Sequence, residues 1–273
     1  MEPILNLIAE SGQVPPTQLE DPSESTPFFE VGPQGFLLRT PSGGRLHYAP
    51  GQGISIATPP DRPSDDLAPI VRTSGFAAAG WLDGRVPLWA NAVRLDTGRL
   101  VLIASDRDDV HEAMAAALSD AFGFAVSDAP VVIDPEDPSR VCTNGQPMTI
   151  RRTTKEATEP PVREGSRRLR TDRPAIDGTV VHPCAGLVCV EEGTAAQSKL
   201  SRVGLMNGIS EIKKHIFMPL AGTAIWGAET IEAAHMVLSS NLPMLRYSMP
   251  AGRKPDAELA ADLLDKLKSL GKP

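Results

Sequence analysis

Two short stretches hold the side chains best suited to chemistry. The first is Ala104-Ser105-Asp106-Arg107-Asp108-Asp109-Val110-His111, where three carboxylates and an imidazole are crowded together. Such groups can hold a divalent cation when they converge on one side. Here they surround the start of a helical pattern, where carboxylates instead match the partial positive charge of a helix N-terminus. The second stretch is His182-Pro183-Cys184 with Cys189. Its spacing is not that of a zinc knuckle and a fourth ligand is not evident, so these thiols read as core residues and no metal or cofactor is expected. The chain has no Gly-x-Ser-x-Gly elbow, no His-Glu-x-x-His and no dinucleotide-binding glycine triplet.

The elements that must position these residues follow from periodicity. Phe36 to Arg39, Arg45 to Tyr48 and Ile54 to Ile56 are separated by Gly/Pro turns and read as hairpins of an antiparallel sheet. Val86 to Val93 and Leu100 to Ala104 are apolar runs of strand length around the turn Asp96-Thr97-Gly98. A helix follows, with Ser105 or Asp106 as its cap, Val110, Met114, Ala117, Leu118 and Ala121 on one side, and Gly123 at its end. Phe124 to Val126 and Val131 to Ile133 read as strands, as do Thr179 to Val181 and Gly186 to Val190. Ser210 is placed as the cap of a helix carrying Ile212 and Ile216, and a second helix runs from Glu229 to Leu238. Leu242 to Met249 is a strand, and Pro255-Asp256 opens a final helix with a stripe of Leu259, Leu263, Leu264, Leu267 and Leu270. Strand, turn, helix, strand is the order of an α/β nucleotide-binding unit.

Composition fits that class. The 273 residues are 41% hydrophobic and 22% charged, enough to bury a real core, while 26 prolines and 23 glycines predict short strands and long connections. The net charge of −7 offers no overall attraction to nucleic acid or anionic lipid. No apolar run is long enough for a membrane span, the first residues lack the pattern of a secretion signal, and three cysteines are too few for a disulfide framework, so a cytoplasmic location is expected. Residues 1–27 are rich in Pro, Ser, Asp and Glu and read as a flexible tail preceding one domain, 28–273. Within it, 151–175 reads as a mobile basic loop. It holds Arg151, Arg152, Lys155, Arg163, Arg167, Arg168, Arg170 and Arg173.

From Leu88 to Val93 and on through Gly123-Phe124-Ala125-Val126-Ser127-Asp128-Ala129 to Ile133, the chain resembles the catalytic domain of the HPr kinase/phosphorylase family, which shares a fold with phosphoenolpyruvate carboxykinase. That family shows a first strand with a histidine, a strand ending in a glycine-rich Lys-Ser/Thr phosphate loop, a helix, and a strand ending in two aspartates. Trp89 stands where the histidine is usual. Asp128 is kept, and Ala129 replaces the second aspartate. The resemblance implies an HPr-kinase-like mixed sheet with flanking helices, preceded by the N-terminal antiparallel strands. It rests on order and spacing and spans about residues 28–270.

It also places Ala104 to His111 where the phosphate loop would lie. Val110 then occupies the lysine position and His111 the hydroxyl position, with Asp106, Asp108 and Asp109 where phosphates would sit. Two like charges ~4 Å apart repel by about 4 kcal/mol at an effective dielectric of 20. A degenerate kinase that binds no nucleotide is therefore expected. Chains of this size and kind resemble the peptide-binding proteins of crocagin biosynthesis. The implied function is a non-catalytic accessory protein that presents a ribosomally made precursor peptide to tailoring enzymes, by way of strand edges in the N-terminal sheet. Trp89, Asp128, Arg202, Trp226 and Arg246 are its expected peptide contacts. The rivals are a divergent serine kinase or phosphatase using Asp128, and a structural subunit of an active kinase.

Overall fold

The computed structural model describes residues 1–270 apart from 9, 11, 60–66, 153–166, 171 and 172. The chain opens with α1 (Ile4–Leu7) and five strands, β1 (Glu24–Ser25), β2 (Phe29–Gly32), β3 (Gly35–Arg39), β4 (Arg45–Ala49) and β5 (Gly53–Ala57), which pair in sequence order as one antiparallel sheet. Then come α2 (Ala68–Ile70), a π-helical turn over Val71–Gly75, and α3 (Phe76–Leu82). The expected hairpins are therefore present.

The expected flexible tail is not. Ile4 is completely buried and Ile8 nearly so, packed with Phe36, Leu46 and Phe76. Arg85 donates to the Glu2 carbonyl at 2.6 Å, the Leu19 N–H donates to Glu30 Oε2 at 2.6 Å, and Glu10 bridges to Ile54 on β5. A short apolar stretch that cannot order itself alone becomes ordered because the first sheet supplies the surface it buries against.

The larger sheet is built from β6 (Val86–Leu88), β7 (Asn91–Arg94), β8 (Leu100–Ala104), β9 (Val126–Ser127), β10 (Val131–Ile133), β11 (Arg140–Thr143), β14 (Val181–Glu192), β15 (Lys199–Arg202) and β16 (Met244–Met249). Between its strands run α4 (Asp108–Phe122), a separate antiparallel pair formed by β12 (Thr149–Arg152) and β13 (Arg167–Arg170), and the helices α5 (Leu205–His215), α6 (Pro219–Trp226) and α7 (Ala228–Asn241). The chain ends in α8 (Ala257–Leu270). Most of the expected basic loop lies outside the described residues; its flanks, β12 and β13, are strands rather than loop.

β14 is the centre of the sheet, running parallel to β8 on one side and to β16 on the other, and antiparallel to β11 at its start. Expected as two strands, it is one, with a register shift between Cys184 and Gly186. Gly186 sits at φ 148°, and a Cβ there would come within 2.4 Å of the Pro243 carbonyl, so only glycine lets the strand pass.

Both faces of the sheet are covered, which explains why β8 reads as an unbroken apolar run. Leu100, Leu102 and Ala104 join a core with α3, α5 and α7, while Val101 and Ile103 face Met114 and Leu118 of α4 and Leu259 and Leu263 of α8. The molecule is thus a mixed α/β protein with an antiparallel five-stranded sheet, a mixed sheet and several helices.

Candidate functional site

The carboxyl ends of parallel strands are where open α/β sheets most often bind ligands. Here β8, β14 and β16 end together near the start of α4. Arg107 takes the N-cap position with extended backbone and no side-chain cap. Neither Ser105 nor Asp106 caps the helix, contrary to expectation; the Ser105 hydroxyl accepts from the Arg107 N–H at 3.3 Å.

Each carboxylate at this helix start has its own partner. Asp108 Oδ1 accepts from the Trp89 indole at 2.9 Å. Asp109 takes two hydrogen bonds from the Arg107 guanidinium, at 3.1 and 2.8 Å, and that pairing holds its carboxyl below the usual range. Asp106 lies 3.5 Å from Lys214 Nζ on α5. Val110 and His111 are buried, and Val110 packs in the core beneath α4. A small cleft of about 190 Å³ remains, lined by Arg107, Asp109, Glu192, Met249, Arg253 and Lys254.

On the opposite face of the sheet the same strand ends carry a second constellation. Ala104 of β8 registers against Cys189 of β14, and Cys189 against Arg246 of β16. Above them α5 brings Glu211 and His215, one helical turn apart on the same side. Arg246 Nη2 donates to Glu211 Oε1 at 2.5 Å, and His215 Nε2 stands 3.9 Å from Glu211 Oε2. The Cys189 sulfur, a Glu211 oxygen and a His215 nitrogen all lie within 4.8 Å of one another, on buried residues. Burial, reinforced by Glu211, pushes the Cys189 thiol up to about 12, so the metal-free group is a thiol and not a nucleophilic thiolate. Burial also lowers the pKa of His215, which keeps its ring neutral.

The sequence considered Cys189 together with His182 and Cys184; the fold separates them. The His182 ring meets the Asp177 carbonyl at 2.6 Å and Arg94 at 3.4 Å, while the Cys184 thiol turns to the Gly186 carbonyl. The partners of Cys189 come from α5. The spacing Glu211-x-x-x-His215 was visible in the sequence, but placing the helix start at Ser210 left Glu211 in the frayed first turn. The helix begins at Leu205, with Ser210 inside it.

The five expected peptide contacts do not form one surface. Trp89 stacks on Phe217 with ring centres 4.7 Å apart, and its backbone N–H donates to the His215 carbonyl at 2.6 Å, so Trp89 and Arg246 flank the same site. Trp226 belongs to the packing of α6 on α3, edge-on to Trp81 at 4.9 Å with its indole donating to the Trp81 carbonyl. Asp128 is buried, accepting from the Ala129 N–H at 3.0 Å and from Asn91 Nδ2 at 3.4 Å. Arg202 is exposed on β15, which pairs only with β16 among the described residues.

Comparison with protein-family models and with curated proteins finds no match for this chain. Among the described residues no helix is long and apolar enough to cross a membrane.

Proposed function

We propose that this chain is a non-catalytic accessory protein, built on a degenerate HPr-kinase-like scaffold, that binds a ribosomally made precursor peptide and presents it to tailoring enzymes. The observation that carries the reading is the start of α4. Asp108 and Asp109 already occupy the first turn, each with a donor of its own, and Arg107 at the N-cap is bound to Asp109. A triphosphate would meet these carboxylates, and the sequence supplies no glycine-rich loop with its lysine between β8 and α4, which weighs against the positioning and charge neutralisation that phosphoryl transfer needs.

Peptide recognition is supported by the outer edge of β5. Its only pairing there among the described residues is the single parallel bridge from Glu10 to Ile54. A precursor peptide would extend the sheet along that edge, drawing affinity from main-chain hydrogen bonds. Beside the same sheet lies a groove of about 690 Å³, bordered by Gln13, Gln18, Gln34, His47 and Gln52 together with Glu20 and Asp21, whose amide and carboxylate groups suit the polar main chain and basic side chains of a peptide.

Calorimetric titration of the full chain with the precursor peptide and, separately, with Mg-ATP tests this. Expected are micromolar peptide affinity, no heat with ATP, and slowed amide exchange at residues 53–57 when peptide is added. Micromolar ATP binding without peptide affinity would return the chain to the kinases.

A further inference from the structure

We propose that Cys189, Glu211 and His215 form a zinc site at the carboxyl end of the central parallel strands. Three features point to it. The donor set is a sulfur, an imidazole nitrogen and a carboxylate oxygen, a borderline-soft combination that suits zinc over magnesium or calcium. The three residues come from two rigid elements, β14 and α5, and each is 5% exposed or less. Their donor atoms already sit within 4.8 Å of one another, whereas a tetrahedral zinc with bonds of 2.0–2.3 Å needs them about 3.4–3.6 Å apart. A contraction of about an ångström at the widest pair completes the set.

The outer groups fit as well. Arg246 holds one oxygen of Glu211, leaving Oε2, the oxygen facing His215, for the ion. That is the carboxylate orientation expected of a residue supporting a ligand from behind. Arg246 in turn lies 3.5 Å from Glu191, which offsets its charge. On binding, the S–H bond of Cys189 breaks, a sulfur–zinc bond forms and the proton leaves to solvent, while the carboxylate and the neutral imidazole donate lone pairs unchanged. Three protein ligands leave a fourth position. The Asp106 carboxylate, on the loop between β8 and α4, is not one of the set: it pairs with Lys214 Nζ at 3.5 Å.

The site stands whether or not the chain binds a peptide. The test is titration of the untagged, chelator-treated full chain with Zn²⁺ and with Co²⁺. Expected are one zinc per chain, a rise in melting temperature, and with cobalt the absorption of a tetrahedral site plus a thiolate charge-transfer band. Cys189→Ser should abolish that band and weaken zinc binding by more than about 100-fold, the upper end of what losing an outer-shell partner costs. Cys184→Ser, which removes a buried thiol on the same strand, should retain both. If the wild-type chain gives no charge-transfer band with cobalt, or if the band survives Cys189→Ser, the assignment fails. The wild-type result decides even if the Cys189 variant does not fold.

Discussion

Arg246 illustrates how one side chain can be assigned correctly as charged and wrongly as free. As a surface arginine on an alternating strand it was a natural contact for an acidic partner. In the structure it lies against Glu211, which is 5% exposed and cannot take its charge to water. Removing one partner of such a pair strands the other, at a cost of several kcal/mol when both are deeply buried. Arg246 is only partly covered and Lys214 stands 3.5 Å from Glu211, so the loss is smaller than that limit. Arg246→Ala is expected to lower stability by about 2–3 kcal/mol in urea denaturation, against a change within about 0.5 kcal/mol for Arg202→Ala on the exposed edge. Equal effects would mean that the pair is not the structural tie described. Cysteine 189 carries the same lesson. Its residue type marked it for chemistry, but its partners lie on another element and no sequence spacing links them.

At the scale of elements, long periodic segments were legible and their joints were not. Both strands of the β7–β8 hairpin, α4, α7, β16 and α8 follow from apolar spacing, because each buries a regular face whatever its neighbours. Val86 to Val93 reads as one strand yet divides at Trp89-Ala90. There the Trp89 N–H turns to the His215 carbonyl, and β6 and β7 pair with different neighbours. The helix α6 was not anticipated, since a short apolar segment rich in small residues has no distinctive period. It forms because Gly222 lets it lie flat on Trp81: a Cβ at that position would meet the indole ring at 2.7–2.9 Å. Trp81 is fully buried and donates to the Phe217 carbonyl at 3.1 Å, so it cannot give way. Gly222→Val is expected to cost about 1–3 kcal/mol by overpacking, seen as a lower melting temperature, while Gly227→Ala in the open connection to α7 acts only through its φ of 80°. A Gly222→Val protein as stable as the wild type would remove this account of how α6 docks.

For the whole molecule, burial decides the charge states that pH can act on. His47, His182, His215 and His235 are all held below their ordinary value of 6.5, in each case chiefly by burial. Below pH 6.5 the unfolded chain takes up protons at these rings and the folded chain does not, so their contribution is complete above 6.5 and is lost as pH falls through the lowered values. Each can add at most about 1.4 kcal/mol per pH unit. Urea denaturation in the presence of a chelator should therefore give a lower stability at about pH 5.5 than at about pH 7.5. An unchanged midpoint across that interval would show these rings to be solvated.

Sequence alone determined the class of the protein: a chain with apolar runs of strand length and an amphipathic helix between them is an α/β protein. These are local properties, set by spacing along a few turns or a few residues of strand. Tertiary structure decided the rest. It drew the N-terminal segment into the core, gave Trp226 and Asp128 to packing and hydrogen bonding, and set Cys189 beneath Glu211 and His215. Those outcomes depend on which distant surfaces meet, and that depends on burying apolar area across the entire chain, a quantity no window of sequence contains.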